Sequence, residues 1–342
     1  MNTLRNHTVA VFGATGHTGQ FVVDELVRRG IVPVAVARDS HKLAAAGFEE
    51  RGILTRCAAV DDPASLAEAL RGVAALINCA GPFLETADQL AAAAVRNGVH
   101  YLDVSAEQPS ARATLERFDG PAREAGVLVV PAMGFYGGLA DLLATAAIGD
   151  WKAVDEIRVG IALDSWHPTQ GTRITGARNT APRMIVNDGK LAPLAQPAAE
   201  ISWDFAEPFG RQDAVEVPFS EVVLMTQHLN IGQLHTYLNS SALRDIRNPN
   251  TPPPTATDDS GRSSQVFLVE VIARKDGYKR KVVAHGRDIY AFTAPLVCEA
   301  AARILQGKVL MSGGACAPGT IFDARSFLDA LAPDLTCSFD LV

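Results

Sequence analysis

Between residues 8 and 130, short β-branched and apolar runs alternate with Ala/Leu-rich stretches whose apolar positions recur at helical spacing. This is the rhythm of strands and helices in a parallel sheet. Strands are predicted over 8–12, 32–37, 53–59, 75–79, 101–104 and 127–130. Their apolar runs are continuous rather than alternating, so both faces of the sheet are covered. A helix over 20–29 carries Phe21, Val22, Val23, Leu26 and Val27 on one side and stops at Gly30, a glycine C-cap. Asp62 followed by Pro63 opens a second helix that runs to Arg71, with the aspartate as N-cap and proline in the first turn. A third spans 84–96 and closes at Asn97-Gly98.

From about Val154 the rhythm changes, with a strand predicted over 154–163 and a helix over 171–186. Residues 240–264 include Pro252-Pro253-Pro254 and a tail of Thr, Asp, Ser and Gly, a composition that reads as a long surface loop. A hairpin follows over 266–274 and 278–285 around Asp276-Gly277, then a helix over 292–305. The fold class expected is α/β, a doubly wound parallel sheet followed by a second α/β (α+β) domain. The expected divisions are 1–150, 151–290 and a C-terminal segment 291–342 that returns to the first domain.

A length of 342 residues, 48% of them hydrophobic and 20% charged, fits about two globular domains. The net charge of -7 and the lack of a Lys/Arg run argue against nucleic acid and anionic membrane as partners. No stretch approaches the ~18 apolar residues of a membrane span. The N-terminus MNTLRNHTVAVFG has no leader-like apolar region. Cys57, Cys79, Cys298, Cys316 and Cys337 are widely separated, with no CxxC pair, so neither a disulfide framework nor a zinc site is signalled. A reducing, cytoplasmic setting is expected.

The strongest local signal is Gly13-Ala14-Thr15-Gly16-His17-Thr18-Gly19, set between the first strand and the first helix. In that context one glycine makes the tight turn, one lets backbone approach a pyrophosphate and one lets helix and strand pack. No Gly-Lys-Ser/Thr follows, so this is not a nucleoside-triphosphate loop. The second strand ends in Ala37-Arg38-Asp39-Ser40 with Lys42 behind it. Arg38 can clamp a 2′-phosphate with Ser40 and Lys42 as further donors, which favours NADP. The other reading gives Asp39 the ribose hydroxyls of NAD. Asp61 or Asp62 can approach the adenine, or Asp62 can cap its helix. After the fourth strand, Cys79-Ala80-Gly81-Pro82-Phe83 offers small residues where ribose and nicotinamide can lie against backbone. Cys79 itself reads as a small buried residue rather than a nucleophile.

The stretches VAVFGATGHTGQFVVDELVRRG, LINCAGPFLETADQLAAAAVRNGVHYLDVSAEQ and AGVLVVPAMGFYGGLADLLA resemble the saccharopine dehydrogenase-like oxidoreductases, a group that includes trans-acting enoyl reductases. The resemblance covers roughly residues 8 to 145 and is thinner at Gln170-Gly171-Thr172, 265–290 and 292–305. It implies NADP(H)-linked redox chemistry on a small-molecule substrate, a second domain whose sheet mediates homodimerisation, and a C-terminal return to the first domain. Two places depart from the family pattern. Asp103-Val104-Ser105-Ala106-Glu107 stands where relatives carry Asp-x-Ser-Gly-Glu, and Gly134-Phe135-Tyr136-Gly137-Gly138 where many carry Gly-Phe-Asp-Ser.

Hydride transfer asks the protein to orient the cofactor and to move one proton. Tyr136, Asp103 and Glu107 follow strand ends on the cofactor side and are the catalytic candidates. Tyr136 can deliver a proton, or it can close an apolar pocket. Asp103 and Glu107 can hold an amine or orient Tyr136, or they can cap the helix that follows. Phe83, Tyr136 and Arg173 are the candidates to touch substrate; Trp166, His167, Arg178 and Arg183 flank the same region. Arg173 can pair with a substrate carboxylate or stand as a solvated helix charge. There is no Tyr-xxx-Lys, Gly-x-Ser-x-Gly or HExxH, and the spacing of His228 and His235 is not that of metal ligands. No metal is expected. The leading reading is an NADP(H)-dependent reductase of a C=C, C=N or C=O bond. Two others stand beside it: a non-catalytic NADP(H) sensor, and an amine-transfer enzyme that retains NAD through its cycle.

Overall fold

The computed structural model describes residues 7–340; the leader-free reading of residues 1–6 lies outside them. Six strands, β1 (Thr8–Phe12), β2 (Val32–Ala37), β3 (Leu54–Cys57), β4 (Ala75–Asn78), β5 (His100–Asp103) and β6 (Leu128–Val130), pair in parallel. The crossovers hold α1 (His17–Arg28), α2 (Ser40–Ala45), α3 (Pro63–Ala69), α4 (Phe83–Arg96) and α5 (Gln108–Ala125). The order β6-β5-β4-β1-β2-β3 reverses direction between β1 and β4. Open α/β sheets bind ligands at that switch point. The α1 helix starts three residues before the predicted one, because extended Gly16 is its cap and the end of the glycine loop forms its first turn. The α5 helix was not predicted: its buried Ala111, Thr114, Leu115, Phe118 and Ala122 keep helical spacing within a polar sequence.

After a single π-helical turn at Phe135–Leu139 and α6 (Ala140–Ile148), the chain builds a second sheet. Its strands are β7 (Val154–Leu163), β8 (Met184–Asn187), β9 (Lys190–Pro193), β10 (Glu200–Asp204), β11 (Arg211–Glu216), β12 (Ile231–Asn239), β13 (Val266–Lys275) and β14 (Tyr278–Arg287). The long path runs β10-β11-β12-β7-β13-β14, with β8 attached to β12 and β9 to β8. Between these strands lie α7 (Gln170–Arg178), α8 (Glu221–Met225) and α9 (Ser240–Arg247), and after them α10 (Ile289–Leu305), α11 (Pro318–Ile321) and α12 (Ala324–Asp329).

The helix expected over 171–186 ends at Arg178. Pro182 lies just beyond it, and Asp188-Gly189, both at positive φ, turns 184–187 back into a hairpin with β9. The loop expected over 240–264 begins with α9, whose Ala242 and Leu243 are buried; only the Pro-rich part is irregular. The C-terminal segment divides between the two sheets. The short strand β15 (Gly314–Ala315) joins β6 in parallel, and β16 (Leu335–Asp340) joins β14 antiparallel. One apolar core runs through both sheets, from Val11 and Ile77 through Leu143 to Ile161 and Phe292. Phe267 packs between Phe135, at 4.8 Å, and Phe292, at 5.1 Å. The α10 helix locks onto α1 through the Arg29–Glu299 ion pair. Residues of the second sheet's region meet the C-terminal ends of the first where Ser220 Oγ donates to Ser105 O and Met184 N donates to Gln108 Oε1.

Candidate dinucleotide site

The turn after β1 is built by steric necessity. Gly13 sits at φ +81°, and a Cβ there would lie 3.0 Å from Ala80; a Cβ at Gly19 would overlap the Gly13 carbonyl oxygen. The amides of Gly13 and Ala14 donate to the Val36 carbonyl at 2.9 and 3.2 Å, which ties the turn to β2. Gly16 caps α1 with no side-chain hydrogen bond, so the N–H groups of the first helical turn, His17, Thr18 and Gly19, are left for another acceptor. Thr15 accepts at its carbonyl from Gln20. The cradle has the shape and donor set for a diphosphate. The His17 ring stands edge-on to Phe21 and Tyr290, its Nε2 buried without a partner, and burial lowers its pKa.

At the end of β2, Asp39 spends its carboxylate as the N-cap of α2, accepting from the His41 and Lys42 amides at 3.0 and 3.2 Å. That weakens the case for a ribose-binding aspartate. Arg38, Ser40 and Lys42 are exposed, and neither cation makes an ion pair among the described residues. Asp61 is exposed beside the third strand, while Asp62 caps α3. Beyond β4, Asn78 Oδ1 accepts from Ala80 N, and its amide donates to Thr86 and Tyr101, so the turn Cys79–Ala80–Gly81–Pro82 is set by one asparagine. Burial pushes the Cys79 thiol far up, out of nucleophile range. A Cβ on Gly81 would sit 2.9 Å from Thr175 Oγ1, so α7 rests on this turn, and Arg178 pairs with Glu85 at 2.5 Å beside it.

Three of the candidate roles change in the fold. Asp103 accepts from Ser105 N (3.0 Å), Ala132 N (2.7 Å) and Tyr101 OH (3.0 Å), fully buried. Glu107 accepts from Phe83 N (2.7 Å) and Leu84 N (3.1 Å). It therefore caps α4, rather than the helix that follows it. Burial raises both carboxyls, which the N–H donors partly offset. Both residues hold loops in place: Ala132 N donates to Asp103, and Phe83 N and Leu84 N to Glu107, from 20 or more residues away, while Ser105 N and Tyr101 OH complete the shell of Asp103. Arg173 is likewise spent, donating to the Thr251 and Asn248 carbonyls at 2.6 and 3.3 Å. Phe83 is buried at the start of α4.

Tyr136 stacks on Phe219 at 4.2 Å and lies 5.4 Å from Trp166, with its hydroxyl buried and unpartnered. Burial raises its pKa well above the ordinary phenol. Arg183 lies over the Phe219 ring at 4.9 Å and donates to Pro218 O at 2.5 Å. The 219–221 turn docks on the first sheet, Ser220 Oγ donating to Ser105 O, while Glu221 beneath accepts from Phe219 N and Thr236 Oγ1 and is pushed by burial to about 7. Tyr290 OH gathers Trp166 Nε1, Thr169 N and Thr172 Oγ1 at 3.0–3.4 Å, anchoring the start of α7. Phe219, Ser220, Glu221 and Tyr290 carry no sequence signal, since each reaches the site only through the second sheet. No group of three metal-ligating side chains occurs among the described residues, and no described helix is long and apolar enough to cross a membrane.

A doubly wound sheet with this cradle at its switch point defines a dinucleotide-binding protein. The comparison with known proteins narrows it: residues 9–130 match the family model of the saccharopine dehydrogenase NADP binding domain. The bovine saccharopine dehydrogenase-like oxidoreductase is 29% identical over 155 residues, 39% of this chain and 35% of that protein. A lipid droplet localized protein of Caenorhabditis elegans is 30% identical over 41% of this chain and 35% of its own length. A probable mitochondrial saccharopine dehydrogenase-like oxidoreductase of Arabidopsis thaliana is 26% identical over 55% and 45%. The match thus spans about a third to a half of the length of these relatives. The fold likeness is wider. The apo saccharopine dehydrogenase (L-Glu forming) of Saccharomyces cerevisiae superposes with a TM-score of 0.69, covering 98% of this chain and all of that one at 13% identity.

Proposed function

We propose that the protein is an NADP(H)-dependent oxidoreductase that acts on a small molecule held between the ends of the first sheet and the α7–Phe219 wall. The observation that carries the reading is the glycine cradle, in which a side chain at Gly13 or Gly19 would occupy the backbone's own space. Gly13 to Gly19 would hold the diphosphate. Arg38, Ser40 and Lys42 would take a 2′-phosphate, and the turn from Cys79 to Pro82 would lie along the ribose and nicotinamide. The cofactor, when bound, supplies or accepts a hydride. The chain's part is to orient, to exclude water with α7 and the aromatic wall, and to hold a proton at the Tyr136 hydroxyl, which burial keeps protonated at neutral pH. A homodimer and a cytosolic setting belong to the same proposal: the first rests on the family resemblance, the second on five cysteines that are all free.

A second reading, a sensor that binds NADP(H) without turnover, is favoured by Asp103 and Glu107 being committed to backbone amides. Stopped-flow absorbance of NADPH across a panel of carbonyls, imines and enoyl compounds separates the two. Consumption by at least one class supports the enzyme. Tight binding with no oxidation anywhere on the panel supports the sensor.

A further inference from the structure

The wall opposite the nicotinamide turn has a composition that selects among substrates. Its apolar part is aromatic: Tyr136 stacks on Phe219 at 4.2 Å and meets Trp166, tilted, at 5.4 Å. Arg183 lies over the Phe219 ring, its guanidinium desolvated enough to lower its pKa despite the pull of the nearby Glu221 carboxyl, with the Pro218 carbonyl as its one hydrogen-bond acceptor and no ion pair among the described residues. A guanidinium in such a place recognises an anion. The Tyr136 hydroxyl, buried and unpartnered, is the kind of group that a ligand satisfies.

What is missing from the wall is as informative. A carboxylate is the usual partner of an amino acid's ammonium group. Asp103, Glu107 and Glu221 are each exposed by 1% or less and turned onto amides and hydroxyls of the chain, and Asp245 accepts from Trp166 N. We infer that the substrate is an organic acid with one anionic group and a flat, apolar body, not an amino acid, and that Arg183 is the specificity-determining residue that takes the acid. The inference rests on the redox reading of the same site and specifies its substrate class.

The test uses the full chain saturated with NADP and three probes: trans-cinnamate, its neutral amide and L-glutamate, followed by tryptophan fluorescence and calorimetry. Cinnamate should bind at least about tenfold more tightly than the amide, the loss expected for one charge-assisted contact, and glutamate should not displace it. Arg183→Gln should equalise acid and amide, and Arg183→Lys should keep part of the preference. NADP binding by each variant reports that it is folded. Equal binding of acid and amide to the parent protein overturns the inference, as does a preference that survives Arg183→Gln or displacement by glutamate. Failure to bind NADP would instead sink the redox reading itself.

Discussion

In the proposed reading, single side chains carry the cofactor choice. Arg38 is exposed without an ion pair, and Asp39 is committed to a helix cap, so the 2′-phosphate is where NADP and NAD should part. Arg38→Ala should weaken NADP about 10- to 100-fold and NAD less than threefold, the range for a lost charge-assisted bond; parallel titrations measure both. Gly19→Ala should abolish binding of both nucleotides and cost about 1–3 kcal/mol of stability, because its Cβ would overlap the Gly13 carbonyl oxygen. Denaturant unfolding and the same titrations check it. At this scale the sequence was readable where function is local. The glycine turn and the Asp62 cap both act within a few residues of themselves. The contacts of Asp103, Glu107 and Arg173 could not be read from the sequence, because their partners include Ala132, Phe83 and Thr251, 29, 24 and 78 residues away. A side chain's hydrogen-bond state is then a property of the fold.

Among the elements, α7 is the unusual one, since none of its residues is buried. It is held by the hydroxyl cluster around Tyr290 at its start, by Thr175 on Gly81 and by the Arg178–Glu85 pair at its end. Surface ion pairs are worth about 0–1 kcal/mol. Arg178→Ala should therefore leave global stability nearly unchanged while speeding hydrogen exchange over 170–178. Gly81→Ala should do the same by crowding Thr175, and Thr175→Ala in that background should restore protection; absence of rescue would separate the helix from the turn. The inner strands of the first sheet were legible because parallel, doubly covered strands are continuous apolar runs between helix caps, whereas the edge strand β3 is exposed or half-buried throughout. By contrast, the apolar residues at 184–186 merge with the end of α7, and only the Asp188-Gly189 turn shows that they form a strand. The α9 helix was masked by the prolines that follow it.

Across the whole molecule the two sheets share one core, so groups at their junction report on the stability of the entire fold. Glu221 is buried there, and its pKa is raised from 4.5 to about 7. A carboxyl raised in the folded state binds more protons folded than unfolded between those values, so stability falls as pH rises from about 4.5 to 7 and levels off above. The full effect is at most about 3 kcal/mol. Glu221→Gln keeps an acceptor for Thr236 and should flatten that slope, with its largest gain over the parent at pH 8 in thermal melts at pH 5 and pH 8. A slope unchanged in the variant would place the pH dependence elsewhere.

Everything functional depends on the turn after β1 closing around a dinucleotide diphosphate, and isothermal calorimetry on the folded full chain tests this most directly. The expected result is one NADP per chain, bound about 10- to 100-fold more tightly than NAD as the proposed Arg38 contact requires. No heat with either nucleotide, or tighter binding of NAD, would contradict the account.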